Sequence, residues 1–236
     1  MNKKTKPDSR GILLVATGEK YLNEAAESAL QCKRVMPEVS ICLATRTKPS
    51  SASVFDRILF LPEGADSYND KILAMQELPF DRTLFLDTDT VCLEPVDELF
   101  DLLDHWDLAV AHAPVREFLH SPEGVPDYFT EFNTGVMAIR QTPQTKKLIQ
   151  HWHQAHALIC ALYGPRTTDQ PAFRQAMWQC RPRFFTLTPE YNLRTCMNYF
   201  VGGNARVKIV HDRSPRLKQA LQLLKQDAKR PHPWVR

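Results

Sequence analysis

The sequence predicts an α/β fold, with a mostly parallel central sheet flanked by helices in a single domain. Apolar runs of four or five residues, rich in Ile, Leu and Val, recur along the chain and suit strands buried on both faces. They alternate with longer segments whose apolar residues return at helical spacing, and this alternation implies parallel pairing with right-handed crossovers. No repeat, low-complexity stretch or linker divides the 236 residues, a length that one large α/β domain fills with a full core.

Residues 12–16 form the first strand of this reading, broken by Thr17-Gly18. A helix follows over about 21–36, where Leu22, Ala25, Ala26, Ala29, Leu30 and Val35 share a face and Pro37 stops the run. Strands at 40–44 and 57–61 come next, then a helix at 71–77 closed by Pro79. Residues 83–86, Thr-Leu-Phe-Leu, read as the central strand. A short helix at 96–103 has Asp97 and Glu98 in its first turn, where negative charge meets the positive end of the helix dipole. After a strand at 108–111, residues 112–132 carry Pro114, Pro122, Gly124 and Pro126 and read as a long loop, of a kind that is usually functional or disordered. Asn133-Thr134-Gly135 then opens a strand at 136–139. Helices at 145–162 and from Asp169 to about 178, strands at 184–187 and 207–210, and a basic amphipathic helix at 215–230 complete the chain. Residues 1–10 form a polar N-terminus and 212–236 a basic tail.

Composition narrows the function classes. A formal charge of +3 is too mild to argue for nucleic acid, and no apolar run approaches the roughly 20 residues of a membrane span. The six cysteines are scattered without a C-x-x-C pair, which reads as reduced core thiols and a cytosolic protein. His151, His153 and His156 lie together on a helix, but no acidic or cysteine partner is evident nearby, so they read as a solvated face rather than a zinc site.

The chain is organised around Asp87-Thr88-Asp89, at the end of the central strand. Carboxylates at i and i+2 on an extended chain point the same way and repel unless a cation sits between them. Hard oxygen ligands suit Mn²⁺ or Mg²⁺, and open α/β sheets bind ligands at strand carboxyl ends. The plainer reading is an acidic turn.

Several ordered pieces resemble nucleotide-sugar glycosyltransferases of the GT-A, Rossmann-like fold, most closely the retaining group that holds glycogenin and the bacterial lipopolysaccharide galactosyltransferases. These pieces are Val15-Ala16-Thr17 with Tyr21, Lys71, residues 84–89, residues 132–137, Thr168-Asp169-Gln170, Tyr191-Asn192 and Ile209-Val210-His211. The resemblance implies a nucleotide-diphosphate sugar donor, expected to be UDP-linked, and a divalent metal on Asp87, Asp89 and His211. It places Ala16, Thr17 and Tyr21 at the nucleotide, with Tyr21 stacking on the base or simply packing. Lys71 is expected at a phosphate or the sugar, and Thr88 at the ribose through its backbone or hydroxyl. Asn133, Asp169 and Gln170 are expected beside the sugar as the catalytic group, although Asp169 also suits a helix N-cap. Retention through a covalent intermediate would want such a carboxylate near the anomeric carbon, whereas a front-face mechanism needs none.

The chain departs from the family after His211, where a glycine and a lysine–proline pair usually follow. Here it runs Asp212-Arg213-Ser214-Pro215-Arg216-Leu217-Lys218, so Arg213, Arg216 or Lys218 stands in for the lost contact. That segment is expected to close over the donor. The acceptor is a glycan, lipid or protein of unspecified identity, and the basic tail suits contact with an anionic membrane surface. Two other readings compete. One is a sugar-1-phosphate nucleotidyltransferase, for which Thr17-Gly18-Glu19 is a poor glycine-rich loop. The other is a catalytically silent nucleotide-sugar binding protein.

Overall fold

The computed structural model describes residues 9–62, 67–113, 122, 124–195 and 206–213. Seven strands form the central sheet: β1 (Arg10–Val15), β2 (Ser40–Thr45), β3 (Arg57–Phe60), β4 (Arg82–Leu86), β6 (Leu108–His112), β7 (Phe132–Arg140) and β8 (Phe184–Leu187), in the order β3-β2-β1-β4-β7-β6-β8. All pairings are parallel except those of β7, which runs against both β4 and β6. The expected mostly parallel sheet is therefore present.

Burial on both faces follows from the period of two along each strand. Ile12, Leu14, Leu84 and Leu86 face a layer that includes α1 (Glu19–Val35) and the short α3 (Glu98–Asp101). Leu13, Phe85, Val110 and Met137 point the other way, into α2 (Asn69–Gln76), α4 (Pro143–Tyr163) and α5 (Gln170–Cys180). The helix expected over 96–103 is shorter than that, since its last part, Leu102–Asp104, tightens into a 3₁₀ turn.

Two features place the functional residues. Between β1 and β4 the strand order reverses: β2 and β3 lie on one side of β1, and β4 with the later strands on the other. A crevice forms at such a switch point, outside the strands' carboxyl ends. Because β7 is antiparallel, its beginning rather than its end reaches this edge. Asn133, Thr134 and Gly135 thus lie inside β7, not ahead of a strand starting at 136. Here the register with β6 shifts, Val110 facing Met137 while Ala111 faces Asn133, which marks an irregularity where β7 reaches the crevice. The second feature is a strand the sequence did not announce, β5 (Thr90–Cys92). It pairs antiparallel with β9 (Ile209–His211) and sets Thr90 opposite His211.

The basic helix expected at 215–230 lies outside the described residues, as does the closing segment beyond Arg213 and most of the first half of the 112–132 loop. The end of that loop is fastened by Arg174 of α5. This side chain is only 2% exposed, and it donates to the carbonyls of Phe129 and Pro126 at 3.0 Å each.

Candidate active site

At the carboxyl end of β4, ligand atoms of Asp87, Asp89 and His211 lie within 4.8 Å of one another. His211 Nε2 is 3.6 Å from Asp87 Oδ2 and 3.5 Å from Asp89 Oδ1. Burial works against ionisation of Asp89, but the hydrogen bond and charge of His211 and the charge of Arg213 outweigh it and hold its carboxyl well below the usual carboxylate range. The approach is close because Gly135 lacks a side chain: a Cβ there would stand 2.1 Å from His211 Cε1 and 2.8 Å from Asp87 Oδ2.

A relay of amides sets the imidazole. Asn192 Oδ1 accepts from His211 Nδ1 at 2.8 Å, and Asn192 Nδ2 donates to Asn133 Oδ1 at 2.9 Å. Asn133 Nδ2 donates in turn to Gln170 Oε1 at 3.0 Å. With Nδ1 donating to Asn192, the ring turns Nε2 toward the two aspartates, the orientation a second partner gives a ligating histidine. Two carboxylates and an imidazole, pressed together and oriented in this way, are a donor set that suits a small divalent cation.

Lys71, the first basic residue of α2, is buried behind this group. Its Nζ is 3.1 Å from Asp87 Oδ1 and 3.5 Å from Asp169 Oδ2, and it donates to Thr134 Oγ1 at 3.2 Å. Thr134 Oγ1 donates to Asp169 Oδ2 at 2.7 Å. Burial alone would lower the ammonium's pKa, yet Asp169 and Asp87 push it up to about 12, so Lys71 is a fixed charge. Asp169 sits at the N-cap position of α5 but makes no capping bond there, because its carboxylate is turned to Lys71 and Thr134. The N-cap position weighed for it from the sequence is thus occupied, but without the capping bond.

These residues line a cleft of about 760 Å³ together with Ala16, Thr17, Tyr21, Thr88, Asn133, Gln170 and Arg213. Every expected site residue among the described ones therefore faces one space, while Arg216 and Lys218 lie outside them. Three are engaged in ways the sequence did not indicate. Thr88 Oγ1 donates to Glu24 Oε2 at 3.0 Å. Arg213 donates to the same carboxylate through Nε and Nη2 at 3.0–3.2 Å, and its guanidinium lies 5.1 Å from the centre of the Tyr21 ring. Thr17 Oγ1 donates to Asp70, a buried carboxylate that also takes both guanidinium nitrogens of Arg46, at 2.5 and 2.8 Å. Asp70, Asn192, Thr134 and Glu24 were missed as site residues. Asn192 and Thr134 carried a signal, as parts of ordered pieces of the resemblance, Tyr191-Asn192 and residues 132–137; Asp70 and Glu24 carried none.

The histidine trio of α4 departs from the solvated face expected of it. His156 is 1% exposed and its Nε2 donates to Thr167 O at 3.2 Å, so it fastens the turn that leads to Asp169.

A family model described as nucleotide-diphospho-sugar transferase matches residues 81–211, more than half of the chain, and so takes in both acidic residues and His211. No match is found among curated proteins. Among solved structures, the galactosyltransferase LgtC in complex with donor and acceptor sugar analogs is 14% identical, with 95% of this chain and 98% of that one covered and a TM-score of 0.55. Mouse xyloside xylosyltransferase 1 is 17% identical over 86% of this chain and 97% of its own, with a TM-score of 0.56. The glycosyltransferase GlyE of Streptococcus pneumoniae reaches a TM-score of 0.61 at 17% identity, where the alignment covers 88% of this chain and 55% of that one. At these identities the likenesses establish a shared fold. With the family match, they show that the chain belongs to the nucleotide-diphospho-sugar transferases and is a glycosyltransferase that takes its sugar from a nucleotide diphosphate.

Proposed function

We propose that the donor is a UDP-linked hexose, that Asp87, Asp89 and His211 hold Mn²⁺ or Mg²⁺ against its diphosphate, and that transfer proceeds with retention. The observation that carries this reading is the convergence of the three ligand groups with His211 Nε2 turned toward both aspartates. When bound, the cation would neutralise charge that builds on the diphosphate as the sugar–oxygen bond breaks.

The chain's own residues supply the rest. Ala16, Thr17 and Tyr21 border the nucleotide, and Thr88 the ribose. Lys71 holds Asp87 and Asp169 at fixed separation and adds positive charge beneath the leaving group. Asn133 and Gln170, joined by a hydrogen bond, each keep polar capacity for sugar hydroxyls. Asp169 is committed through Oδ2 to Thr134 and Lys71, which favours an orienting charge beside the anomeric carbon over a nucleophile. The acceptor hydroxyl attacks that carbon, the bond to the diphosphate breaks, and the hydroxyl proton leaves with the diphosphate or to solvent. Buried cysteines, including Cys42 with its thiol pushed up to about 11 by burial, suit a reducing compartment and a cytosolic site of action.

A panel of UDP- and GDP-sugars incubated with Mn²⁺ tests the reading. Nucleotide should be released from at least one UDP-sugar, and chelation should stop it. Release that survives chelation, or occurs only from GDP-sugars, would overturn it.

A further inference from the structure

Asp70 lines the cleft but has no role in the donor site described above. It is 3% exposed, and the bonds it accepts converge from three segments of the chain. Arg46, just past the end of β2, donates to both carboxylate oxygens, Nη2 to Oδ1 at 2.5 Å and Nη1 to Oδ2 at 2.8 Å. Arg46 is itself fastened through Nε, which donates to Pro62 O at 3.0 Å. The Ser67 amide donates to Asp70 Oδ2 at 3.2 Å, and Thr17 Oγ1 donates to the same oxygen at 2.8 Å. The ends of β1 and β2 and the start of α2 are thus tied at one carboxylate.

This arrangement decides what Thr17 can offer a ligand. A guanidinium that spans both oxygens leaves the carboxylate an acceptor on each side. The proton between Thr17 and Asp70 therefore belongs to Thr17, and the hydroxyl has no second proton to give. Thr17 Oγ1 makes no other hydrogen bond among the described residues, and Thr17 lines the cleft, so lone pairs are what this oxygen has left for a ligand there. A threonine hydroxyl ordinarily rotates to donate or accept as its partner requires. Here that freedom is removed. Tyr21, four residues on, borders the same space. Among pyrimidine bases, uracil carries N3–H at the ring position where cytosine carries a bare N3 lone pair. A fixed acceptor pairs with the first, whereas against the second two lone pairs meet and both stay unpaired.

We propose that Asp70, held by Arg46, is a positioning residue that fixes the Thr17 hydroxyl as an acceptor, and so selects a nucleoside diphosphate whose pyrimidine carries N3–H over one whose N3 is bare. The proposal rests on the donor reading above, which sets the nucleotide against Thr17 and Tyr21.

The test is calorimetry of the full chain with Mn²⁺, comparing UDP with CDP. Wild type should bind UDP roughly 10- to 100-fold more tightly, the usual effect of leaving a polar group unpaired. Thr17→Val keeps the shape without the acceptor and should bring the two affinities within about threefold, while Thr17→Ser should retain the preference. The double variant Arg46→Leu with Asp70→Leu tests the positioning itself. It removes both charges together, so neither is left buried and unpaired, and it frees the Thr17 hydroxyl to donate to cytosine. Its preference should also fall to within about threefold, beside a cooperative thermal transition. A merely structural role for Asp70 would lower both affinities and leave their ratio unchanged, and that result would overturn the proposal. Equal binding of UDP and CDP by wild type would overturn it as well, as would a preference that survives in Thr17→Val. If the double variant loses its cooperative transition, the Thr17 variants decide, because Asp70 is the only described group that holds the hydroxyl proton. Failure of wild type to bind either nucleotide with Mn²⁺ would instead strike the donor reading, and this proposal with it.

Discussion

Gly135→Ala presses on the three-ligand group without altering a ligand. Gly135 lies where β7 passes the end of β4, and its carbonyl accepts from Asp87 N at 2.8 Å. A Cβ added there would meet His211 Cε1 at 2.1 Å and Nδ1 at 2.7 Å. Ordinary carbon–carbon contact is about 3.5–4.0 Å, so the ring must retreat by about 1.5 Å. It has little room to do so, being 5% exposed and tied through Nδ1 to Asn192. Overpacking of this kind costs typically about 1–3 kcal/mol, which in a chain of this size lowers Tm by about 2–12 °C. The functional loss should exceed the structural one, because a misplacement of about 1 Å costs on the order of 100-fold in a positioned site. Calorimetry of UDP with Mn²⁺ should therefore show affinity about 100-fold weaker in Gly135→Ala, beside a cooperative thermal transition. If affinity stays within about threefold of wild type, less than roughly 0.7 kcal/mol, the ring and Asp87 do not form one binding group and the reasoning fails.

Other substitutions probe the supports of the same group. Lys71→Met leaves Asp169, 2% exposed, without its cation, and should cost about 3–5 kcal/mol in urea denaturation; a loss under about 1 kcal/mol would contradict the buried pairing. Asn192→Ala removes the partner of His211 Nδ1 and should weaken Mn²⁺ dependence of UDP binding by roughly 10- to 100-fold, the usual cost of losing such a partner; an unchanged Mn²⁺ requirement would show that the amide relay does not orient the ring. Away from the site, burial opposes ionisation of Glu98, but hydrogen bonds from Lys208 and Tyr191 and the charge of Lys208 lower its pKa in the folded chain. A carboxylate lowered on folding adds stability that is complete above the unfolded value, near 4.5, and is lost as pH falls through the folded one. Glu98→Gln should therefore lower Tm at pH 7 and converge with wild type as the pH falls below about 4; parallel curves would show that the pair contributes nothing.

What the sequence revealed and what it concealed divide along physical lines. β1, β2 and β4 were legible because strands buried on both faces are continuous apolar runs, and Asp87 and Asp89 were legible because they end such a run. β5 was not, since its three residues acquire strand geometry only by pairing with β9, far along the chain. Asn133 was placed ahead of its strand because Asn-Thr-Gly carries turn propensity, which the antiparallel insertion of β7 between β4 and β6 overrides. The ion pairs of Asp70 with Arg46 and of Glu24 with Arg213 link segments whose proximity only the sheet order creates. Arg213 was foreseen as a donor contact on the strength of position alone; its engagement with Glu24 and Tyr21 came from the structure.

The most direct test of the account is a calorimetric titration of UDP into the wild-type chain and Asp89→Ala, each with Mn²⁺ and with chelator. Asp89 lies 3.5 Å from His211 Nε2 in the ligand group, in the turn between β4 and β5 rather than among the apolar core residues, so its loss should spare the fold. The account predicts tight UDP binding only for wild type with Mn²⁺, and equally weak binding in the other three conditions. Metal-dependent affinity that is undiminished in Asp89→Ala would contradict it.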